Sequence, residues 1–297
     1  MKNKQVYVIA IIFIIFIALI ILYKWFIKKY TLKNNIISYD YFIKLIRVVD
    51  PSTHLMNYGL WDTEHNTLSK ATINLINFIF NKADLKKTDT NILDIGCGYG
   101  EQDMELAKMI DDTSTITAVD ISDKQIAWAN KNYSRKNIKF DSCDAMEVDQ
   151  KYDKEIFDTI FSIESAFHYN SRPKFFKNVN FLLKDTGTFV IADIALREPY
   201  NKTPILSSIF IKIFSDFFHI PKQNLISTEE WLNQLSNELK IVEIIDITEK
   251  TFKPHYRHWV KTYFENKNLP LFLADIFIKL LISIQPFTYT VAVCKKS

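Results

Sequence analysis

Three glycines stand at positions 96, 98 and 100 of a 297-residue chain that contains only five glycines. They directly follow the apolar run Asn91-Ile92-Leu93-Asp94-Ile95, which has the length and bounds of a buried strand. A turn without side chains at alternate positions lets a ligand approach the backbone closely, and a helix-like segment follows it. This strand, turn and helix form the start of a βαβ unit, which restricts the chain to the α/β class.

The periodicity beyond this turn supports the same fold class. Apolar runs of strand length alternate with segments of helical spacing, which predicts βαβ units, a largely parallel Rossmann-like sheet and a ligand site at the carboxyl ends of its strands. A helix is predicted before the glycine turn, over residues 68–81. After the turn the predicted strands are 115–119, 138–141, 157–162, 188–192, 241–247 and 289–294, and the predicted helices are 103–110, 123–132, 173–183 and 228–237.

The N-terminus contains a long apolar segment. Every residue from 6 to 23 is apolar or aromatic, and about 18 such residues suffice to span a bilayer. A cleaved signal peptide would have a shorter apolar region that ends in small residues, whereas this one ends in Leu22-Tyr23-Lys24. We therefore expect a single-pass transmembrane anchor at 1–28, and the lysines after it place the following domain in the cytoplasm.

The predicted organisation has three parts. The anchor is followed by an amphipathic connector at 29–66 and a catalytic domain at 67–297. Within that domain, residues 197–227 are rich in Phe and Ile and are predicted to form an apolar helical cap. The net charge of +3 is too weak to indicate nucleic acid as a partner, and the three separated cysteines give no metal-ligand spacing. No metal is expected, and the oligomeric state is left open.

Acidic residues follow three successive predicted strands. Asp94 ends the first, Asp120 follows the second, and Asp144 lies just beyond the third. Asp120 is about 20 residues beyond the glycines, a separation suited to a carboxylate that binds ribose hydroxyls. Glu101 occupies the position of the third glycine of a dinucleotide fingerprint, where it would repel a pyrophosphate. A nicotinamide-dependent oxidoreductase stays as an alternative that Glu101 disfavours.

The segments Asn57-Tyr58-Gly59-Leu60-Trp61, Leu93–Gly100, Val119-Asp120-Ile121-Ser122, Asp144-Ala145 and 157–165 together resemble the class I S-adenosylmethionine (SAM)-dependent methyltransferases. The chain looks most similar to members that methylate sterols, tocopherols and natural products. This resemblance implies a seven-stranded sheet and SAM as cofactor. The sequence departs from the family at Glu238-Leu239-Lys240, where a glycine is usual, and in the apolar 197–226 insertion. Both departures affect inference about the substrate.

The resemblance assigns roles by position. Asp94, Gly96 and Gly98 would hold the methionine part of SAM, and Gly100 and Ile121 are also assigned to cofactor binding. The ribose would be held by Asp120 with help from Gln125, and the adenine by Asp144 with Ala145. Glu164 and His168 follow the fourth strand, where the methyl group would point, and are the predicted catalytic residues. His168 either takes a proton from the acceptor or only packs against it. Tyr58, Trp61 and Tyr169 are predicted to line the substrate site, and a core role is equally open for Tyr58 and Trp61.

The expected reaction is methylation, on oxygen or carbon, of a small lipophilic acceptor such as a lipid, sterol or quinone. The anchor and the apolar cap motivate this expectation, with the lipid bilayer as partner. Two alternatives stay open: a cyclopropane-type modification of lipid chains, and an inactive SAM-fold membrane protein.

Overall fold

The computed structural model describes residues 39–88 and 90–297. A single mixed sheet contains seven strands: β1 Asn91–Ile95, β2 Thr115–Asp120, β3 Ile138–Ser142, β4 Phe157–Ile163, β5 Leu183–Leu196, β6 Leu239–Asp246 and β7 Phe287–Lys296. The helices are α1 Tyr39–Val49, α2 Leu68–Lys82, α3 Glu101–Leu106, α4 Asp123–Asn132, α5 Val148–Lys151, α6 Arg172–Leu182, α7 Ile205–Phe217, α8 Thr228–Ser236, α9 Thr248–Asn266 and α10 Leu271–Ile284.

The strand order is β3-β2-β1-β4-β5-β7-β6. Strands β1 to β5 are parallel to one another, and β7 runs antiparallel between β5 and β6. The connection from β1 runs to β2 on one side, whereas β4 lies on the other side of β1. Ligands bind at such a reversal of strand order, beyond the carboxyl ends of the strands. The seven-stranded Rossmann-like sheet predicted from the sequence is confirmed.

Helices cover both faces of the sheet because their apolar residues recur at helical spacing. On one face, α2 buries Leu75, Ile76, Ile79 and Phe80 completely. On the other, α6 contributes a second buried cluster that includes Phe175 and Phe176. The strands between them are consequently apolar on both sides, as parallel strands require.

The structure corrects the membrane prediction. Within residues 39–88 and 90–297, no helix is both long enough and apolar enough to cross a bilayer. The fold class that included an N-terminal transmembrane helix, and the single-pass membrane localisation derived from it, are wrong on this finding. The segment 1–28 to which the anchor was assigned lies outside the described residues.

The predicted connector contains α1, whose Ile43, Ile46 and Val49 are buried in a cluster with Trp61. The predicted cap contains α7, which is only partly a surface helix. Its Ile211 and Phe214 are buried, whereas Ile205 is 80% exposed. A long helix, α9, was not predicted. It contains Pro254, which interrupts the backbone hydrogen-bonding pattern of a helix, and its sequence is largely polar.

Candidate cofactor and acceptor site

The glycine turn after β1 has a left-handed backbone at all three glycines, with φ of 91° at Gly96, 58° at Gly98 and 77° at Gly100. At Gly96 an added Cβ would lie 2.4 Å from the Cβ of Ser165, so only glycine fits. At Gly100 it would lie 2.4 Å from the Phe140 ring. Gly96 and Gly98 also line a cavity, whereas Gly100 allows close packing of the turn on β3.

Two cavities meet at Gly96. We call the first the turn cavity. Its lining is His54–Asn57, Gly96–Tyr99, Glu101, Gln102, Ile163 and Glu164. We call the second the β2–β3 cavity. Its lining is Ile95, Gly96, Asp120, Ile121, Cys143–Ala145, Ser165 and His168–Asn170. Together they follow the carboxyl edge of the sheet from β4 to β3.

The β2–β3 cavity contains Asp120, Ile121, Asp144 and Ala145, which are predicted to bind the cofactor, whereas Gln125, predicted beside the ribose, lines neither cavity. Asp120 accepts hydrogen bonds from the Gly98 amide at 3.0 Å and the Ser122 amide at 2.9 Å. These bonds fix its carboxylate at the rim, although burial raises its pKa above the usual value. Gln125 is buried, and its Nε2 has no hydrogen-bond partner.

Asp94 differs from its predicted position. It is fully buried behind the turn and lines neither cavity. The Gln102 side chain stands between Asp94 and the turn cavity, with its Nε2 donating to Asp94 Oδ2 at 2.5 Å. Burial raises the pKa of Asp94 to about 6. Asp94 therefore acts on the cavity through Gln102, a residue that the sequence analysis did not single out.

The structure separates the two residues predicted to be catalytic. Glu164 lines the turn cavity, whereas His168 lines the β2–β3 cavity beside Asp120 and Asp144. Burial lowers the pKa of His168 to about 4, and its ring packs on Phe167 with the centroids 4.1 Å apart. Tyr169, predicted for the substrate, also lies on the nucleoside side, where its hydroxyl donates to the Ile95 carbonyl at 3.1 Å. The role of His168 as a base stays a prediction, and its position favours packing.

Glu164 directly follows β4 and has a left-handed conformation with φ of 49°. Its Oε1 accepts the Tyr58 amide at 2.8 Å and the Tyr289 hydroxyl at 2.7 Å. Burial raises the pKa of Glu164 to about 8, even with these two donors. A non-glycine residue held in this strained conformation, with a carboxyl group of perturbed pKa, is typical of a functional site.

Aromatic residues surround the segment that contacts Glu164. The Tyr58 ring packs edge-on against Phe252 at 4.9 Å and His255 at 4.7 Å. The Tyr58 carbonyl accepts the Trp61 Nε1 proton at 2.8 Å and contacts His255 Nδ1 at 3.0 Å. We call these residues, with Tyr256 and Tyr289, the aromatic cluster. Trp61 is only 6% exposed and lines neither cavity, so the structure gives it a core position.

Pro254 explains how α9 joins this cluster. A proline has no N–H, so the Lys250 carbonyl one turn earlier lacks its helical donor. The Trp61 amide donates to that carbonyl at 2.9 Å. Pro254 is the reason why the sequence pattern did not predict α9. It also leaves the Lys250 carbonyl free to accept the hydrogen bond that joins α9 to the segment around Tyr58.

The described residues fit SAM. At the carboxyl edge of the sheet, Asp120 provides a carboxylate that could bind ribose hydroxyls, and Asp144 provides one that could bind an adenine amine. Gln102 lies at the wall where a methionine ammonium would sit, backed by a buried carboxylate whose Oδ1 has no donor from another residue. The turn cavity also contains Glu101, which accepts the His54 amide at 2.6 Å. Acidic walls suit a cationic ligand.

A sheet of this order, with a glycine turn after its first strand and a carboxylate after its second, defines a SAM-dependent methyltransferase fold. The sequence matches the family described as "Methyltransferase domain" over residues 86–250, more than half of the chain, and the protein belongs to this family. It is a SAM-dependent methyltransferase, as the sequence analysis predicted, and its cofactor is SAM.

The relatives include small-molecule methyltransferases. Erythromycin 3''-O-methyltransferase from Saccharopolyspora erythraea is 28% identical over 216 residues, 69% of this chain and 68% of that protein. O-methyltransferase cnsE from Penicillium expansum is 28% identical over 186 residues, 61% of each chain. The chain thus spans about two thirds of the length of these relatives. The structure of a geranyl diphosphate methyltransferase with SAM has a TM-score of 0.63 at 16% identity, covering 86% of this chain and 96% of that one, which shows the shared fold.

Proposed function

We propose that the protein methylates a hydroxyl group of a small, largely apolar molecule. The observation that carries this proposal is the position of Glu164, whose carboxyl group stands between the turn cavity and the aromatic cluster. A proton-accepting group at that junction would contact both the transferred methyl and the acceptor. The relatives named O-methyltransferases support oxygen as the acceptor atom.

SAM supplies an electrophilic methyl group on a cationic sulfur. The protein's part is to align the acceptor with it, to exclude water and to receive the hydroxyl proton. Glu164 Oε1 is held by Tyr58 and Tyr289, so Oε2 is the oxygen that would take the proton. A neighbouring cation favours the ionised carboxyl group and would lower its raised pKa in the complex.

The apolar character of the acceptor is supported by what surrounds this carboxyl group. Phe252 and Tyr256 continue the aromatic cluster, and both are buried. Phe214 of α7 packs on Phe287 with ring centroids 4.6 Å apart, and both belong to the same buried cluster as Phe252 and Tyr256. The predicted cap therefore adjoins this core. A ring or an extended hydrocarbon bearing one hydroxyl would suit these apolar surroundings better than a charged metabolite would.

The test is incubation of the protein with methyl-labelled SAM and three acceptor sets: sterols, hydroxylated polyketides, and polar sugars or amino acids. Label is expected in the first two sets, and NMR of the product should show an O-methyl group. NMR also identifies a cyclopropane, which adds the same mass. Glu164→Gln is expected to lower turnover about a hundredfold, and Glu64→Gln, a change at an exposed residue, serves as the matched control. Labelling of polar acceptors alone, or of carbon, contradicts the proposal.

A further inference from the structure

Asp103 is a completely buried carboxyl group for which the cofactor and the acceptor give no evident use. It lies on α3 against Asp94, and the two carboxyl groups are close enough to share a proton. Neither oxygen of Asp103 receives a donor from another residue, and neither does Oδ1 of Asp94. Gln102 donates only to Oδ2 of Asp94. Three buried carboxyl oxygens are therefore left without an outside donor.

The groups that face this pair are acidic or neutral. Asp120 approaches from β2, Cys97 from the glycine turn, Tyr169 from the segment after β4, and Tyr133 from the end of α4. Among the described residues, no Lys, Arg or His pairs with either carboxyl group. Two carboxylates in contact in such surroundings cannot both be ionised, because repulsion and lost solvation add. A hydrogen bond between them in turn requires a proton.

The surroundings also determine which residue holds that proton. Asp94 accepts the Gln102 amide, which stabilises its ionised form, whereas no residue donates to Asp103. Burial and the charge of Asp94 raise the pKa of Asp103 well above its usual value. The pKa of Asp94 is raised less, to about 6. The stable arrangement near neutral pH is a neutral Asp103 that donates to an ionised Asp94.

We propose that Asp103 is a permanently protonated positioning residue that orients Asp94, and through it Gln102, for binding the cofactor's ammonium group. An ionised Asp94 can only accept hydrogen bonds, so Gln102 must present Nε2 to it. The Gln102 amide oxygen is then directed toward the turn cavity, which Gln102 lines. The hydrogen bonds that link Asp103, Asp94 and Gln102 thus give the wall of the turn cavity one negative charge and one hydrogen-bond acceptor in a fixed position. The proposal depends on the SAM site alone and not on the identity of the acceptor.

Calorimetry of SAM binding to full-length variants at pH 7.5 tests this proposal. Asp103→Asn replaces one neutral donor by another and is expected to bind SAM within about twofold of wild type. Asp103→Ala removes the donor and should weaken binding about tenfold or more, the effect of losing a hydrogen bond to a charged group. Equal losses in both variants would overturn the proposal, since they would mean that the charge of Asp103 matters.

A second measurement on the wild-type protein covers the case in which a variant does not fold. In protein labelled with ¹³C at the aspartate carboxyl carbon, NMR at pH 7.5 should show one side-chain signal with the shift of a protonated acid. That signal should persist when SAM is added, and it should be absent in Asp103→Asn. Carboxylate shifts at every aspartate would refute the proposal, whatever the acceptor proves to be.

Discussion

The raised pKa of Glu164 makes a prediction about stability that needs no substrate. Glu164→Gln keeps an oxygen that can accept the Tyr58 amide and the Tyr289 hydroxyl, but it removes the ionisable group. In wild type the pKa of this carboxyl rises from 4.5 to about 8 on folding. Below pH 4.5 both the folded and the unfolded chains hold the proton. Between pH 4.5 and 8 only the folded chain does, so stability falls as pH rises through this window.

The magnitude follows from the size of the shift. A difference of this size corresponds to about 5 kcal/mol at pH 8 and above as an upper limit. The side chain borders the turn cavity, where water screens part of the penalty, so we expect about 2 kcal/mol. The free energy of unfolding of Glu164→Gln should therefore match wild type near pH 5 and exceed it by about this amount at pH 8.5.

Urea denaturation of both proteins without cofactor at pH 5, 6.5 and 8.5 measures the difference directly. Glu64→Gln, a change at an exposed residue, is the control and should follow wild type at each pH. A constant difference between Glu164→Gln and wild type across the pH range would refute the reasoning. It would mean that the carboxyl group titrates alike in the folded and unfolded chains.

Three further experiments test the site and the core. Asp120→Ala should weaken SAM binding by about 1.5–3 kcal/mol, and unchanged affinity in calorimetry would remove Asp120 from the site. Arg172→Ala leaves Asp193 buried without the partner that lies 3.0 Å away, so urea denaturation should give a loss of about 3–5 kcal/mol; a loss below about 1 kcal/mol would contradict this. Phe214→Ala should cost about 3 kcal/mol because the ring is buried, whereas Phe272→Ala, at a 65% exposed residue, should cost less than about 0.5 kcal/mol. Similar losses of stability in the two Phe variants would contradict the difference in burial between Phe214 and Phe272.

The sequence alone determined the fold of the sheet and which strand-end residues meet at its carboxyl edge. Strand β1 and helix α4 have the bounds that their patterns predict. This success has a local cause, because a strand, its turn and the residue at its end are contiguous, and parallel strands bring their carboxyl ends to one edge. Asp120, Ile121, Asp144 and Ala145 accordingly line one cavity.

Tertiary structure decided which residues surround Glu164 and how deeply each predicted site residue is buried. The spacing of Glu164 and His168 does not reveal that they face different cavities, because the short helical turn at Ala166–His168 reverses the chain between them. Tyr58 contacts His255 and Phe252, which are almost 200 residues away in the sequence. Both belong to α9, a helix that the sequence pattern does not predict because it contains Pro254. The buried position of Asp94 likewise depends on how α3 packs, since no local pattern specifies which strand-end carboxyl group a neighbouring helix covers.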